Sequence, residues 1–122
     1  MPIVELGDVW REPFANGATY QTIVGDDEGS TPLRVGVQTS PPGYSTGTHS
    51  HPYLEVVSVI EGEGEAWIEG QDGVVGIGPG TTLVLPAGVK HGFRATGPGL
   101  LKTYGVHASP TRIVERHPEA DA

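Results

Sequence analysis

The chain has 122 residues, no cysteine, and 15 acidic against 7 basic side chains, for a net charge of −8. The length fits one folded domain, and the acidic field disfavours nucleic acid and membrane surfaces as partners. Without cysteine there are no disulfides, Fe–S clusters, thiolate zinc sites or cysteine nucleophiles, so any metal must be held by imidazole and oxygen.

Taken in chain order, the opening stretch MPIVELGDVW lacks a basic region and a long apolar run, so it does not read as a signal peptide. No segment reaches the roughly 20 apolar residues of a membrane span. A soluble cytoplasmic protein is expected. Val4, Leu6, Val9, Trp10 and Phe14 require burial, either in a homodimer interface or over one end of the molecule itself.

Glycine (19) and proline (11) are abundant, but they are dispersed and punctuate short runs of valine, isoleucine and leucine. That is the pattern of tight turns between strands rather than of a disordered chain. The predicted strands are 19–25, 33–40, 53–62, 64–70, 73–78, 81–86, 91–96, 99–107 and 111–115. Residues 25–32, GDDEGSTP, read as an exposed loop, and 116–122, RHPEADA, as a frayed, exposed tail that carries His117. There is no internal repeat and no helix-turn-helix. The expectation is an all-β sandwich or small barrel over residues 1–122.

The chemistry concentrates in GYSTGTHSHPYLEVVSVIEG, residues 43–62. Alternate residues of a strand share a face, so His49 and His51 point the same way, and Tyr53 and Glu55 keep that parity if Pro52 does not break it. Two imidazoles and a carboxylate then offer a divalent cation nitrogen and oxygen ligands. A His-x-His pair alone also fits two surface histidines.

The frame around it is more specific. The first stretch reads Gly43, five residues, His49, one residue, His51, three residues, Glu55, six residues, Gly62. The second reads Gly80, five residues, Pro86, one residue, Gly88, two residues, His91. In these spacings, and in the short connection from Glu63 to Pro79, the chain resembles the small single-domain cupins. The resemblance covers residues 43–95. It implies a double-stranded β-helix, or jelly roll, with a metal in its wider end. It also implies the ligand set His49, His51, Glu55 and His91, holding one divalent transition metal (Fe, Mn, Ni, Cu or Zn). Ala95 stands where the family's second motif carries asparagine, which puts one local polar contact in doubt. Three neutral imidazoles and one carboxylate leave such an ion with a charge of +1 and with open positions.

Around the metal, Tyr53, Phe93, His107 and Gln38 are candidate pocket residues. Along 99–107 the register that exposes Lys102 turns Leu101, Thr103, Gly105 and His107 inward, and it avoids a buried unpaired lysine. Arg94 alternates with Phe93 and faces away. That leaves no cation expected inside the barrel, and it favours a neutral or monoanionic small molecule that chelates the metal. The expected function is a metal-dependent enzyme of dioxygenase type. The alternatives are a non-redox isomerase, lyase or decarboxylase, a non-catalytic small-molecule-binding cupin, and a purely structural metal.

Overall fold

The computed structural model describes residues 3–122. Its strands are β1 (Glu12–Pro13), β2 (Thr19–Val24), β3 (Arg34–Ser40), β4 (His49–Ser50), β5 (Glu55–Glu61), β6 (Gly64–Ile68), β7 (Val75–Ile77), β8 (Thr82–Leu85), β9 (His91–Ala95), β10 (Leu101–His107) and β11 (Glu115–Arg116). They form a six-stranded sheet, β1-β2-β3-β10-β5-β8, and a five-stranded sheet, β11-β4-β9-β6-β7. The pairings within both sheets are antiparallel. The fold is the all-β double-stranded β-helix that the motifs imply. No helix among the described residues is long and apolar enough to cross a membrane.

Period-two patterning explains the packing. On β5, Glu55, Val57 and Val59 are buried while Val56 and Ser58 are half-buried; on β8, Leu83 and Leu85 are buried between exposed Thr82 and Val84. The inward residues of both sheets meet in one core of Val57, Val59, Ala66, Ile77, Leu83, Leu85, Phe93, Ala95 and Leu101. Truncating Leu85 or Leu101, both fully buried, costs about 3 kcal/mol by analogy with other buried leucines. Trp67 alternates with the core residue Ala66 and lies on the other face of β6, where it is buried: its indole N–H donates to Thr48 Oγ1 at 2.8 Å, and Arg94 covers its ring.

Three readings of the sequence need correction. First, no single strand runs through the first motif. β4 ends at Ser50, and residues 51–54 cross to the other sheet, where β5 begins at Glu55. Pro52 has no N–H for a ladder, which is consistent with the break. Second, residues 111–114 form no strand; β11 begins at Glu115 and pairs with β4. Third, the tail is exposed but not frayed. Asp121 accepts the Thr48 N–H at 2.6 Å, the His117 N–H donates to Thr48 O at 2.8 Å, and Ser50 Oγ lies 2.9 Å from His117 Nε2. These partners lie some 70 residues away, beyond the reach of local pattern.

The N-terminal segment divides. Leu6 and Val9 are half-buried, and their carbonyls accept the buried Gln21 amide at 2.8 and 3.1 Å. Phe14 turns into the barrel mouth. Trp10 remains 73% exposed.

Candidate metal centre

Each sheet delivers part of the site. In the five-stranded sheet, β4 and β9 place His49 directly opposite His91, with ring centroids 4.4 Å apart. In the six-stranded sheet, β5 and β10 place Glu55 opposite His107. His51 sits in the crossing segment between the sheets. Its carbonyl accepts the Gly88 N–H at 2.8 Å, which ties the second motif's turn to the first. Gly88 has φ +80°, a left-handed conformation that favours glycine.

One potential ligand atom from each of His49, His51, Glu55 and His91 lies within 4.8 Å of all the others. Ligands about 2.1 Å from a common ion stand at most about 4.2 Å apart, so a small inward movement closes the set around a cation. The hydrogen bonds orient the rings for this. Nδ1 of His49 lies 2.9 Å from Gly47 O, Nδ1 of His51 2.7 Å from Ile113 O, and Nδ1 of His91 2.9 Å from Val89 O. Carbonyls only accept, so each Nδ1 carries hydrogen; this assigns the tautomer from the network. Each Nε2 is left with a lone pair.

His51 Nε2, His91 Nε2 and Glu55 Oε1 are buried and have no hydrogen-bond partner. Both Nε2 atoms nevertheless stand 3.2 Å from Glu55 Oε1. Lone pairs facing a carboxylate oxygen in a dry interior are costly unless positive charge lies between them. A divalent cation satisfies all of them at once, and the donor set therefore fits one. Burial works to lower the His51 pKa, but the hydrogen bond and charge of Glu55, together with the bond to Ile113, overcome it and raise the pKa. His49 behaves differently: burial, then repulsion from His91, pushes it down to about 4, so it is an uncharged donor at neutral pH. For Glu55, burial pushes the pKa up. The bond to His107 Nε2, with the His51 and His91 imidazoles 3.2 Å away on the other oxygen, outweighs that and holds the carboxyl far below its ordinary value.

His107 has a distinct place. Its Nε2 lies 2.7 Å from Glu55 Oε2, and its Nδ1 is 3.1 Å from Tyr53 Oη. Tyr53 Oη also accepts the Ile113 N–H at 3.2 Å. The consistent assignment is Tyr53 O–H donating to His107 Nδ1 and His107 Nε2–H donating to Glu55. Tyr53 thus stands behind the cluster and does not line the pocket.

The pocket in front of the cluster has a volume of about 120 Å³. Phe93, His107 and Gln38 line it, as do Phe14, Tyr20, Tyr44 and Thr103. Arg112 and Arg116 also line it, which corrects the expectation of a barrel without cations. Arg94 does face outward, paired with Glu65 at 2.9 Å. The two arginines come from the segment that also bonds Tyr53 and His51 through Ile113. The sequence carries one weak signal for this: alternation of Arg112, Val114 and Arg116, all three on the pocket wall.

Comparison with known proteins agrees with this architecture. A 5-nitrosalicylic acid 1,2-dioxygenase from Bradyrhizobium sp is 31% identical over 112 residues, covering 84% of this chain and 53% of that protein. The chain therefore spans about half the length of that relative. Among solved structures, the polyketide cyclase RemF from Streptomyces resistomycificus superposes with a TM-score of 0.80 at 23% identity, over 95% of this chain and 84% of that one. A predicted oxalate decarboxylase from Thermotoga maritima gives 0.78 at 22% identity, over 87% and 97%. A Klebsiella pneumoniae protein with a double-stranded β-helix domain gives 0.74 at 22% identity, over 94% and 96%. These structural likenesses establish the fold. Residues 36–107 match the Cupin domain family, and with both signature motifs inside the barrel as described, this chain belongs to the cupins.

Proposed function

We propose that this protein is a metal-dependent enzyme of dioxygenase type, acting on a small aromatic molecule that chelates the metal through adjacent oxygens. The carrying observation is the convergence of the unpartnered Nε2 atoms of His51 and His91 on Glu55 Oε1, at the wall of a pocket lined with Phe14, Tyr20, Tyr44 and Phe93. The 31% identical dioxygenase supports the reaction class. His49, His51, Glu55 and His91 would hold the ion, and a redox-active divalent one would supply electron transfer to dioxygen and Lewis acidity toward a chelating substrate.

The protein's own residues do the rest. The three Nδ1–H bonds to backbone carbonyls fix ring orientation, as partners behind metal-binding histidines commonly do. His107 engages Glu55 Oε2, so the carboxylate is held as a ligand and is not free to swing out as a base. Val57, Leu85 and Phe93 keep the pocket wall apolar and limit water. Arg116 at the mouth, hydrogen-bonded to Thr46 O at 2.9 Å, brings positive charge to the entrance of a protein that is otherwise acidic, which favours entry of an anion.

The test is oxygen uptake by protein loaded with Fe(II), Mn(II), Ni(II) or Cu(II) and offered salicylate-type substrates. Consumption of about one O2 per substrate, lost in His49→Ala, is the expected result. Full metal loading with no oxygen uptake across that series contradicts the proposal.

A further inference from the structure

One wall of the pocket is built from distant parts of the chain and holds two unused donors. Phe14 and Tyr20 stack at 5.5 Å with an 8° interplanar angle. The Arg112 guanidinium lies 5.2 Å from the Phe14 ring and 4.7 Å from the Tyr20 ring. Both terminal nitrogens of Arg112 are taken by Glu12, at 2.9 and 2.7 Å. Arg112 Nε is buried without a partner, and so is the Tyr20 hydroxyl. Tyr20 is itself only 6% exposed. Such groups cost free energy unless something accepts their hydrogen bonds.

The space for the hydroxyl is specifically provided. A Cβ on Gly36 would lie 2.4 Å from Tyr20 Oη, so glycine there lets the phenol reach inward. Burial pushes the Tyr20 phenol up to about 12, which keeps it a donor. The bidentate Glu12 compensates the charge of Arg112, so this wall offers hydrogen bonds without net charge. A second carboxylate would find no uncompensated cation here; a neutral acceptor oxygen would be matched.

We propose that the Tyr20 hydroxyl and Arg112 Nε form a specificity subsite for a neutral acceptor oxygen, nitro or carbonyl, carried on the substrate ring away from its chelating oxygens. The substrate class is then a hydroxy aromatic acid with an acceptor substituent. A cavity of about 120 Å³ is on the scale of one aromatic ring, since a cavity of roughly 150 Å³ holds benzene. The inference rests on the proposed function above, because it takes the chelating end of the substrate to sit on the metal.

The experiment is calorimetric binding of salicylate and its ring-substituted analogues to the zinc-loaded protein, which removes turnover from the readout. The substituents, at one ring position, are nitro, acetyl and methyl. Wild type is expected to bind the nitro and acetyl compounds about tenfold tighter than the methyl compound, the scale of one well-made hydrogen bond. Tyr20→Phe should collapse most of that ratio while keeping affinity for unsubstituted salicylate and a full complement of zinc. Nitro also changes the acidity of the chelating hydroxyl, but that effect persists in Tyr20→Phe and so cancels in the comparison. Preference for nitro alone narrows the class to nitroaromatics, and preference for acetyl alone to carbonyl compounds. An unchanged ratio in Tyr20→Phe, with salicylate still bound, overturns the subsite and leaves the metal-centred function standing. Failure of the zinc-loaded wild type to bind salicylate or any analogue overturns both.

Discussion

Glu55 and His107 face each other across the β5–β10 ladder, with His107 Nε2 2.7 Å from Glu55 Oε2. One carboxylate oxygen is thereby fixed by the neighbouring strand, and the other is left for the histidine cluster. His107→Ala should leave Oε2 buried without a donor and let the carboxylate rotate. Zinc affinity measured by calorimetry should fall by about 10- to 100-fold, the usual effect of losing a partner behind a ligand. His107→Gln, which keeps an N–H donor on a flexible chain, should recover part of it. An unchanged affinity in His107→Ala would show that Glu55 needs no such support.

The pocket wall predicts an alkaline signature. The folded-state pKa of Tyr20, about 12, lies above its ordinary value of 10.0 because of burial. Between those values the unfolded chain gives up the proton and the folded one keeps it. The stability tied to this group is therefore fully present below pH 10 and is lost as pH rises toward 12. The loss is on the order of 2 kcal/mol for a shift of this size. Urea denaturation at rising pH should show wild type losing that much more stability than Tyr20→Phe. Parallel curves for the two proteins would argue against a buried, protonated Tyr20.

Gly36 gives a packing test. An added Cβ would meet Tyr20 Cζ and Oη at 2.4 Å and the Gln21 carbonyl at 2.7 Å. Gly36→Ala should lower stability by about 1–3 kcal/mol, as overpacking of a filled interior does. Combining it with Tyr20→Phe should restore little, because phenylalanine keeps Cζ and the Gln21 carbonyl is backbone; only the Oη contact is removed. Thermal unfolding of the two variants distinguishes this from a neutral substitution.

The C-terminal tail should matter to the metal. Asp121, His117 and Arg116 hold the segment Thr46–Ser50 that precedes and includes β4, and β4 carries His49. Deleting residues 117–122 should weaken zinc binding several-fold and lower the unfolding temperature, since several hydrogen bonds worth about 1 kcal/mol each are lost. Unaltered affinity in a stable truncated protein would show the tail to be a passive covering.

Much of the fold was legible. Valine- and leucine-rich runs between glycine turns mark most strands to within a few residues, because alternation and turn chemistry are local properties. The two histidines and the glutamate of the first motif stood out by spacing. Parity misled at Pro52, since the chain leaves one sheet there and joins the other; the residues converge because two sheets face each other, not because one strand carries them. Arg112 was signalled as a pocket residue only by its alternation with Val114 and Arg116. Its orientation depends on Glu12, 100 residues away, and on the Phe14–Tyr20 stack, none of which any window of sequence displays. The docked tail was missed for the same reason: Asp121 and Thr48 meet only in the folded barrel.

Everything proposed for this barrel depends on His49, His51, Glu55 and His91 holding a transition metal. The most direct measurement is metal content by mass spectrometry on protein purified without a histidine tag, beside a His49→Ala/His51→Ala double variant. Wild type should carry about one transition-metal ion per chain, as a three-histidine, one-carboxylate site would bind, and the variant none. Well-folded wild type that carries no metal, and takes up none when Fe, Mn, Ni, Cu or Zn is supplied, would contradict it.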